Sequence, residues 1–305
     1  MAYPQTFKKK ICLLRKFLLP LPKIYTIEGK KSKEMNEDLV SVIMPTYNAG
    51  KFLADSINSI LQQSYKNLEL LITDDASTDA ETIRILNDFA QKDSRVNILF
   101  LKENAGPGHA RNQSITRAKG RYIAFCDSDD RWTEDKLEKQ IAFMKEKNCA
   151  LSCATYIVCD ENDQNIGISI PPKAITFSML KRDNKVGCLT AIYDTQVLGK
   201  KFFMPAIRKR QDWGLFLNIM KECHICYAFT EKPLAYYRKR HNSISSKKST
   251  LIKYNVAIYK EILGFSTAKS YFYFYALFMP TYITKIIKRK NDSKIFQKQC
   301  EIGTK

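Results

Sequence analysis

Carboxylates concentrate in two short strings of the chain, DDASTD at 74–79 and DSDD at 127–130. Each follows an apolar run, LELLIT or YIAFC, and a third such run, VSVIM, leads into the string PTYN at 45–48. Six acidic side chains (Asp74, Asp75, Asp79, Asp127, Asp129, Asp130) gathered in one place would repel one another unless something cationic joined them. A further acid, Asp212, stands between Gln211 and Trp213.

The elements around these strings say how they would meet. From Leu39 short apolar runs alternate with amphipathic segments, the pattern of βαβ units and a mostly parallel sheet. The spacing predicts strands at Val40–Pro45, Leu68–Thr73, Val96–Leu101 and Tyr122–Cys126. Between them it predicts a helix over Lys51–Gln62, a second from about Asp79 capped by Ser77 or Thr78, and a third over Pro107–Lys119. Leu137, Ile141 and Met144 mark another helix after DSDD. In open sheets of this kind ligands bind beyond the carboxyl ends of the strands. PTYN, DDASTD and DSDD would all fall at that edge.

Four strings, in order, carry a family resemblance: VSVIMPTYNAGKFLADSINSILQQSYKNLELLITDDASTD, ENAGPGHARNQSITRAKGRYIAFCDSDDRW, RQDWGLFL and YYRKRHNSIS. Together they resemble the family 2 glycosyltransferases over roughly residues 39–245. The resemblance implies an α/β GT-A fold, a doubly wound and mostly parallel sheet. It implies transfer of a sugar from a nucleotide donor to an acceptor hydroxyl, usually with inversion. Such a donor leaves readily only when its diphosphate charge is neutralised, so Mn²⁺ or Mg²⁺ is expected, held by carboxylates and phosphate oxygens.

By the same resemblance Asp127 and Asp129 form the DxD, Asp129 for direct metal contact and Asp127 for metal or ribose. Asp75 would accept a hydrogen bond from the nucleobase, with Pro45 and Tyr47 lining it, while Asp74 caps the following turn. Arg111 stands near the donor, or else pairs with the acidic cluster as support. Asp212 matches the general base, although the Glu that usually precedes it is Gln211 here. His241 would ligate metal or touch phosphate, and Arg238 or Arg240 would offset its charge. Trp132 reads as a packing residue.

Charge separates the chain into a body and two ends. The protein has 305 residues and a net charge of +19; residues 1–34 carry +7 and residues 232–305 carry +13, leaving −1 for the middle. Phe7, Ile11, Leu14 and Leu18 recur at helical spacing among lysines, and SYFYFYALFMPTYI (270–283) precedes Lys285, Lys288, Arg289 and Lys290. Apolar-aromatic faces edged by lysine suit an anionic membrane surface; the plainer alternative is a pair of helices packed on the domain with a solvated basic side. The expected layout is a basic amphipathic N-terminal extension (1–38), a catalytic domain (39–245) and a basic, aromatic-rich helical C-terminal region (246–305). No nucleic-acid motif accompanies the charge, so no nucleic-acid partner is expected. Without an apolar run of membrane-spanning length or a signal sequence, the chain is expected in the cytoplasm, peripheral on the inner face of the membrane. The nine Cys are then reduced thiols.

Other features point elsewhere and fail. Cys223-His224-Ile225-Cys226 lacks a second pair for zinc. Gly106-Pro107-Gly108 is an incomplete dinucleotide fingerprint, and no phosphate-binding GxxxxGK[ST] occurs. A sugar-nucleotide pyrophosphorylase would carry a Gly-rich signature where PTYNAG stands. A noncatalytic sugar-nucleotide-binding or scaffold protein of the same fold remains the alternative. The partners expected are a nucleotide-sugar donor, most simply a UDP-sugar, and a glycan or polyprenyl-diphosphate-linked acceptor of surface polysaccharide synthesis such as capsule, O-antigen or lipopolysaccharide.

Overall fold

A computed structural model describes residues 38–240 and 251–303. The expected N-terminal amphipathic extension and His241 lie outside the described residues. The chain runs β1 (Val40–Thr46), α1 (Gly50–Leu61), β2 (Leu68–Asp74), α2 (Ala80–Lys92), β3 (Val96–Phe100), α3 (Pro107–Arg117), β4 (Tyr122–Phe125), β5 (Arg131–Trp132) and α4 (Lys136–Lys147). The expected strands and helices of this half all form, within a residue or two at their ends. One cap differs. Asp79 caps α2 by accepting from the Thr82 amide at 2.9 Å, whereas Ser77 donates its hydroxyl to Asp74 at 2.5 Å. An Asp beside the first turn out-competes the hydroxyls because its charge also meets the positive end of the helix.

Next come β6 (Leu151–Ala154), β7 (Tyr156–Cys159), β8 (Asn165–Ser169), β9 (Ala174–Thr176), α5 (Phe177–Arg182), β10 (Ile192–Asp194), α6 (Thr195–Leu198), α7 (Gln211–Cys223), β11 (Ile225–Phe229) and β12 (Ala235–Arg238). The main sheet has the order β3-β2-β1-β4-β10-β6-β11-β9. Strands β1 to β4 are parallel neighbours, while β10 runs antiparallel between β4 and β6. A second sheet, β5-β12-β7-β8, stands beside it.

Alternation along the strands builds two cores. Val40, Val42 and Met44 face Leu53, Ile57, Leu86, Leu137 and Ile141 of α1, α2 and α4. Ile43, with Leu71, Ile123 and Phe125, faces the opposite layer, which includes Ile115 of α3 and Trp213, Leu215 and Phe216 of α7. A strand buried on both faces must be apolar throughout, which is why VSVIM reads as a continuous run.

The C-terminal segment is helical: α8 (Leu251–Ala257), α9 (Thr267–Tyr273) and α10 (Met279–Gly303), joined by π-helical stretches at Ile258–Ile262 and Phe274–Phe278. It packs on the α7 side of the sheet. Phe274 and Phe278 are buried in that core with Tyr259, while Tyr271, Phe272 and Tyr275 face solvent. The alternating aromatics therefore wrap around the helix. The segment thus packs on the domain through one face and leaves an exposed aromatic and basic face, which is compatible with both expected readings. Among the described residues no helix is long and apolar enough to cross a membrane.

Candidate active site

The parallel register brings the acidic strings to one edge. Thr46 pairs with Asp74, Ile43 pairs with Phe125, and the Cys126 amide donates to the Ile43 carbonyl at 3.1 Å. Loops after β1 and β2 are then laced together. Asn48, in a left-handed conformation, accepts the amides of Thr78 and Asp79 at 2.9 and 3.0 Å and donates its own amide to Ser77. Asp74 caps this turn, as its position in the string suggests.

Asp75 is buried, and its two oxygens accept the amides of Ala105 and Gly106 at 2.9 and 2.8 Å. That pins the entry of α3 to the end of β2. A carboxylate has about four lone-pair sites, so acceptor capacity remains. Pro45 is buried within β1, and Tyr47 beside it is 50% exposed, its ring open to solvent.

The DSDD loop is held from two sides. Arg111, carried by α3 and largely buried, donates to Asp127 at 2.5 Å. Burial alone would weaken the guanidinium's hold on its proton. The charges of Asp127 and Asp212 and the hydrogen bond to Asp127 outweigh that and raise its pKa. Arg111 thus pairs with the acidic cluster. From the other side Arg240 lies 3.4 Å from Asp129. Arg238, on β12, donates its amide to Asp130 at 2.8 Å and its guanidinium to the Asp129 carbonyl and to Asp163. Arg238 is thus a buried clamp beneath the loop.

Three carboxyls in sequence leave an electrostatic signature. Burial and the neighbouring Asp127 raise the pKa of Asp129. Burial, then Asp129 and Asp127, push Asp130 well above the usual carboxylate range. A bound cation would reverse the cost for Asp129. The described residues offer no group of three or more protein ligands here. Two carboxylates that leave the remaining positions to phosphate oxygens and water suit Mg²⁺ or Mn²⁺. The donor set fits such an ion, and Asp127 and Asp129 would be its protein ligands.

Trp132 is the packing residue expected, buried with its indole N–H on the Leu189 carbonyl at 3.0 Å. The ammonium of Lys136 lies 4.1 Å from its ring centroid.

Asp212 arrives from α7, in the same layer as α3. It sits in the first turn of α7, and its charge reaches Arg111 and Cys188. The adjacent Gln211 lies against α3 where Gly108 has no side chain; a Cβ there would come within 2.2 Å of the Gln211 amide. The start of α7 therefore abuts the helix that carries Arg111. Asp212 accepts from the Asn184 side-chain amide at 2.8 Å. Neither Asn184 nor Cys188 stands in a motif, and only the fold brings them near Asp212. Cys226 is a buried thiol beside Cys153, and His224 ends α7 in a left-handed conformation.

A family model described as "Glycosyl transferase family 2" matches residues 41–202. A putative teichuronic acid biosynthesis glycosyltransferase of Bacillus subtilis, TuaG, is 41% identical over 73% of this chain and 88% of its own. An Escherichia coli UDP-Glc:alpha-D-GlcNAc-diphosphoundecaprenol beta-1,3-glucosyltransferase, WfgD, is 37% identical over 72% of this chain and 84% of its own. The crystal structure of S. aureus TarS 1–349 aligns with a TM-score of 0.61, covering 80% of this chain and 72% of that one; at 21% identity it speaks for the shared fold alone.

Proposed function

The chain belongs to glycosyl transferase family 2 and is a glycosyltransferase of GT-A fold, and on that premise we propose that it moves glucose or a similar hexose from a UDP-sugar to a polyprenyl-diphosphate-linked saccharide, with inversion. One observation carries this reading. Arg111 holds Asp127 of the DSDD loop and also feels the charge of Asp212, so the candidate donor ligands and the candidate base share one site. The E. coli relative's donor and acceptor supply the substrate class.

Tyr47 offers a ring face to the uracil and Asp75 accepts from its N–H, held by the two amides it already accepts. Asp127 and Asp129 would hold Mn²⁺ or Mg²⁺, which would supply charge neutralisation for the leaving diphosphate. Arg240, at the rim beside Asp129, adds charge near the departing phosphates. Asp212 takes the proton of the acceptor hydroxyl from the face opposite the leaving group. With Gln211 in place of the usual Glu, no second acid precedes it. The neutral amide packs on Gly108 without adding charge beside the base.

The acceptor's lipid anchor calls for a surface, and the outer face of α9–α10 supplies one. Tyr271, Phe272, Tyr275, Ile283 and Ile287 are exposed and lead into exposed Lys288, Lys290, Lys294 and Lys298. Each basic residue near an anionic leaflet contributes about 1 kcal/mol. An enzyme working at the inner face of the membrane would dock through this face.

The test is transfer of labelled glucose from UDP-glucose to GlcNAc-diphosphate-undecaprenol with Mn²⁺. Product formation that needs the metal is expected. Intact UDP binding without turnover on any lipid-linked acceptor would favour the noncatalytic alternative.

A further inference from the structure

The base candidate is wired to the C-terminal helix. Lys285, on α10, reaches into the body of the protein, where its ammonium pairs with the buried carboxylate of Asp183 at 2.9 Å and donates to the Asn184 carbonyl at 2.5 Å. Asn184 then donates its side-chain amide to Asp212 at 2.8 Å, while its side-chain oxygen accepts the Val186 amide at 3.2 Å. That second bond fixes which end of the amide faces Asp212, because the oxygen is already occupied by a donor. The loop after α5 is thus held at Asp183 and at both polar ends of Asn184.

The neighbouring residue is held by the same segment. Trp213 is fully buried, donates its indole N–H to the Leu180 carbonyl at 2.8 Å, and packs its ring against Tyr259 and Phe278 at centroid separations of 5.8 and 5.7 Å. Both aromatics belong to the C-terminal helices. Chain positions 101 apart (Asn184 and Lys285) therefore meet directly behind Asp212.

We infer that Lys285 and Asn184 are positioning residues for Asp212, so that the C-terminal helix is part of the catalytic machinery as well as its outer docking face. This rests on Asp212 being the base. Misplacing a reacting group by about 1 Å costs roughly 100-fold in rate. Loss of the Lys285 contacts should therefore lower kcat by about 10- to 100-fold and leave the KM for UDP-glucose nearly unchanged.

The experiment uses the full chain with UDP-glucose, Mn²⁺ and GlcNAc-diphosphate-undecaprenol, comparing Lys285→Met, Lys285→Arg and Asn184→Ala, alongside hydrogen exchange of each protein without substrates. Lys285→Met and Asn184→Ala should lose kcat at constant KM. Amides of 183–188 and 210–214 should exchange faster while those of β1–β4 stay unchanged, and Lys285→Arg should restore both readouts. Wild-type kcat in Lys285→Met with unaltered exchange in both segments overturns the inference. So does a loss of kcat accompanied by faster exchange throughout β1–β4, since that is general destabilisation. If the wild-type chain does not turn over this pair, the substrate reading fails, and the exchange pattern still decides the relay.

Discussion

The donor half and the base half of the site are built by different means. From β1 to β4 the frame of the donor half is set by parallel register, with Asn48 and Asp75 tying the loops together by accepting backbone amides and Arg111, Arg238 and Arg240 clamping the DSDD loop. Around Asp212 the groups are set by side chains drawn from the loop after α5, from α7 and from α10, each distant in sequence. Backbone-held loops tolerate the loss of one side chain, whereas a relay fails at its first missing link. The two halves should therefore respond differently to substitution.

The largest effect is expected at the base. Asp212→Asn should reduce kcat by about 10²- to 10⁴-fold and leave UDP affinity, measured by calorimetry, within a factor of a few. Equal losses in both would erase the division between the halves. Next is the packing behind the base. Trp213→Ala removes a ring shared with Tyr259 and Phe278 and should cost about 3–5 kcal/mol of stability in denaturant unfolding. A cost below about 1 kcal/mol would mean that the C-terminal helices do not brace α7.

Much of the donor half was legible because its signals are local. A strand buried on both faces, a turn rich in Asp, and a helix face at 3.6-residue spacing each announce themselves within a dozen residues. The resemblance then supplied roles for Asp127, Asp129 and Asp212. Asn184 and Lys285 carry no such signal, since an Asn in a loop and a Lys on a helix are ordinary until the fold joins them. The second sheet was unread for the same reason: β5 has two residues, and its partner β12 lies a hundred positions later. The aromatic run at 270–283 misleads in another way, because composition cannot tell an inward ring from an outward one when both occupy one helix.

Lys136 gives a pH-dependent probe of the donor half. Burial lowers its pKa to about 7, against about 10.4 in an unfolded chain. Between those values the unfolded chain binds the extra proton, so this residue's contribution favours the folded state increasingly as pH rises and penalises it as pH falls. Lys136→Met should thus gain stability over the wild type as pH drops from 10 towards 7, by up to about 1.4 kcal/mol per unit. A difference independent of pH would place a partner on the ammonium.

The smallest effect is expected on the outer helix face. Replacing Tyr271, Phe272 and Tyr275 with Ser should weaken binding to phosphatidylglycerol vesicles and change stability by no more than about 0.5 kcal/mol, since these rings face solvent. Unchanged vesicle binding would remove the surface-docking role from this face and leave the inner-face relay intact.

The most direct test of the central claim, a metal-bridged nucleotide at the DSDD loop, is the melting temperature with UDP, with and without Mn²⁺, in the wild type and in Asp129→Asn. A ligand at 100 times its dissociation constant adds about 2.7 kcal/mol, which raises the melting point by several degrees. That rise is expected in the wild type only when UDP and Mn²⁺ are present together, and it should be lost in Asp129→Asn. A rise that ignores the metal and survives the substitution would contradict the claim.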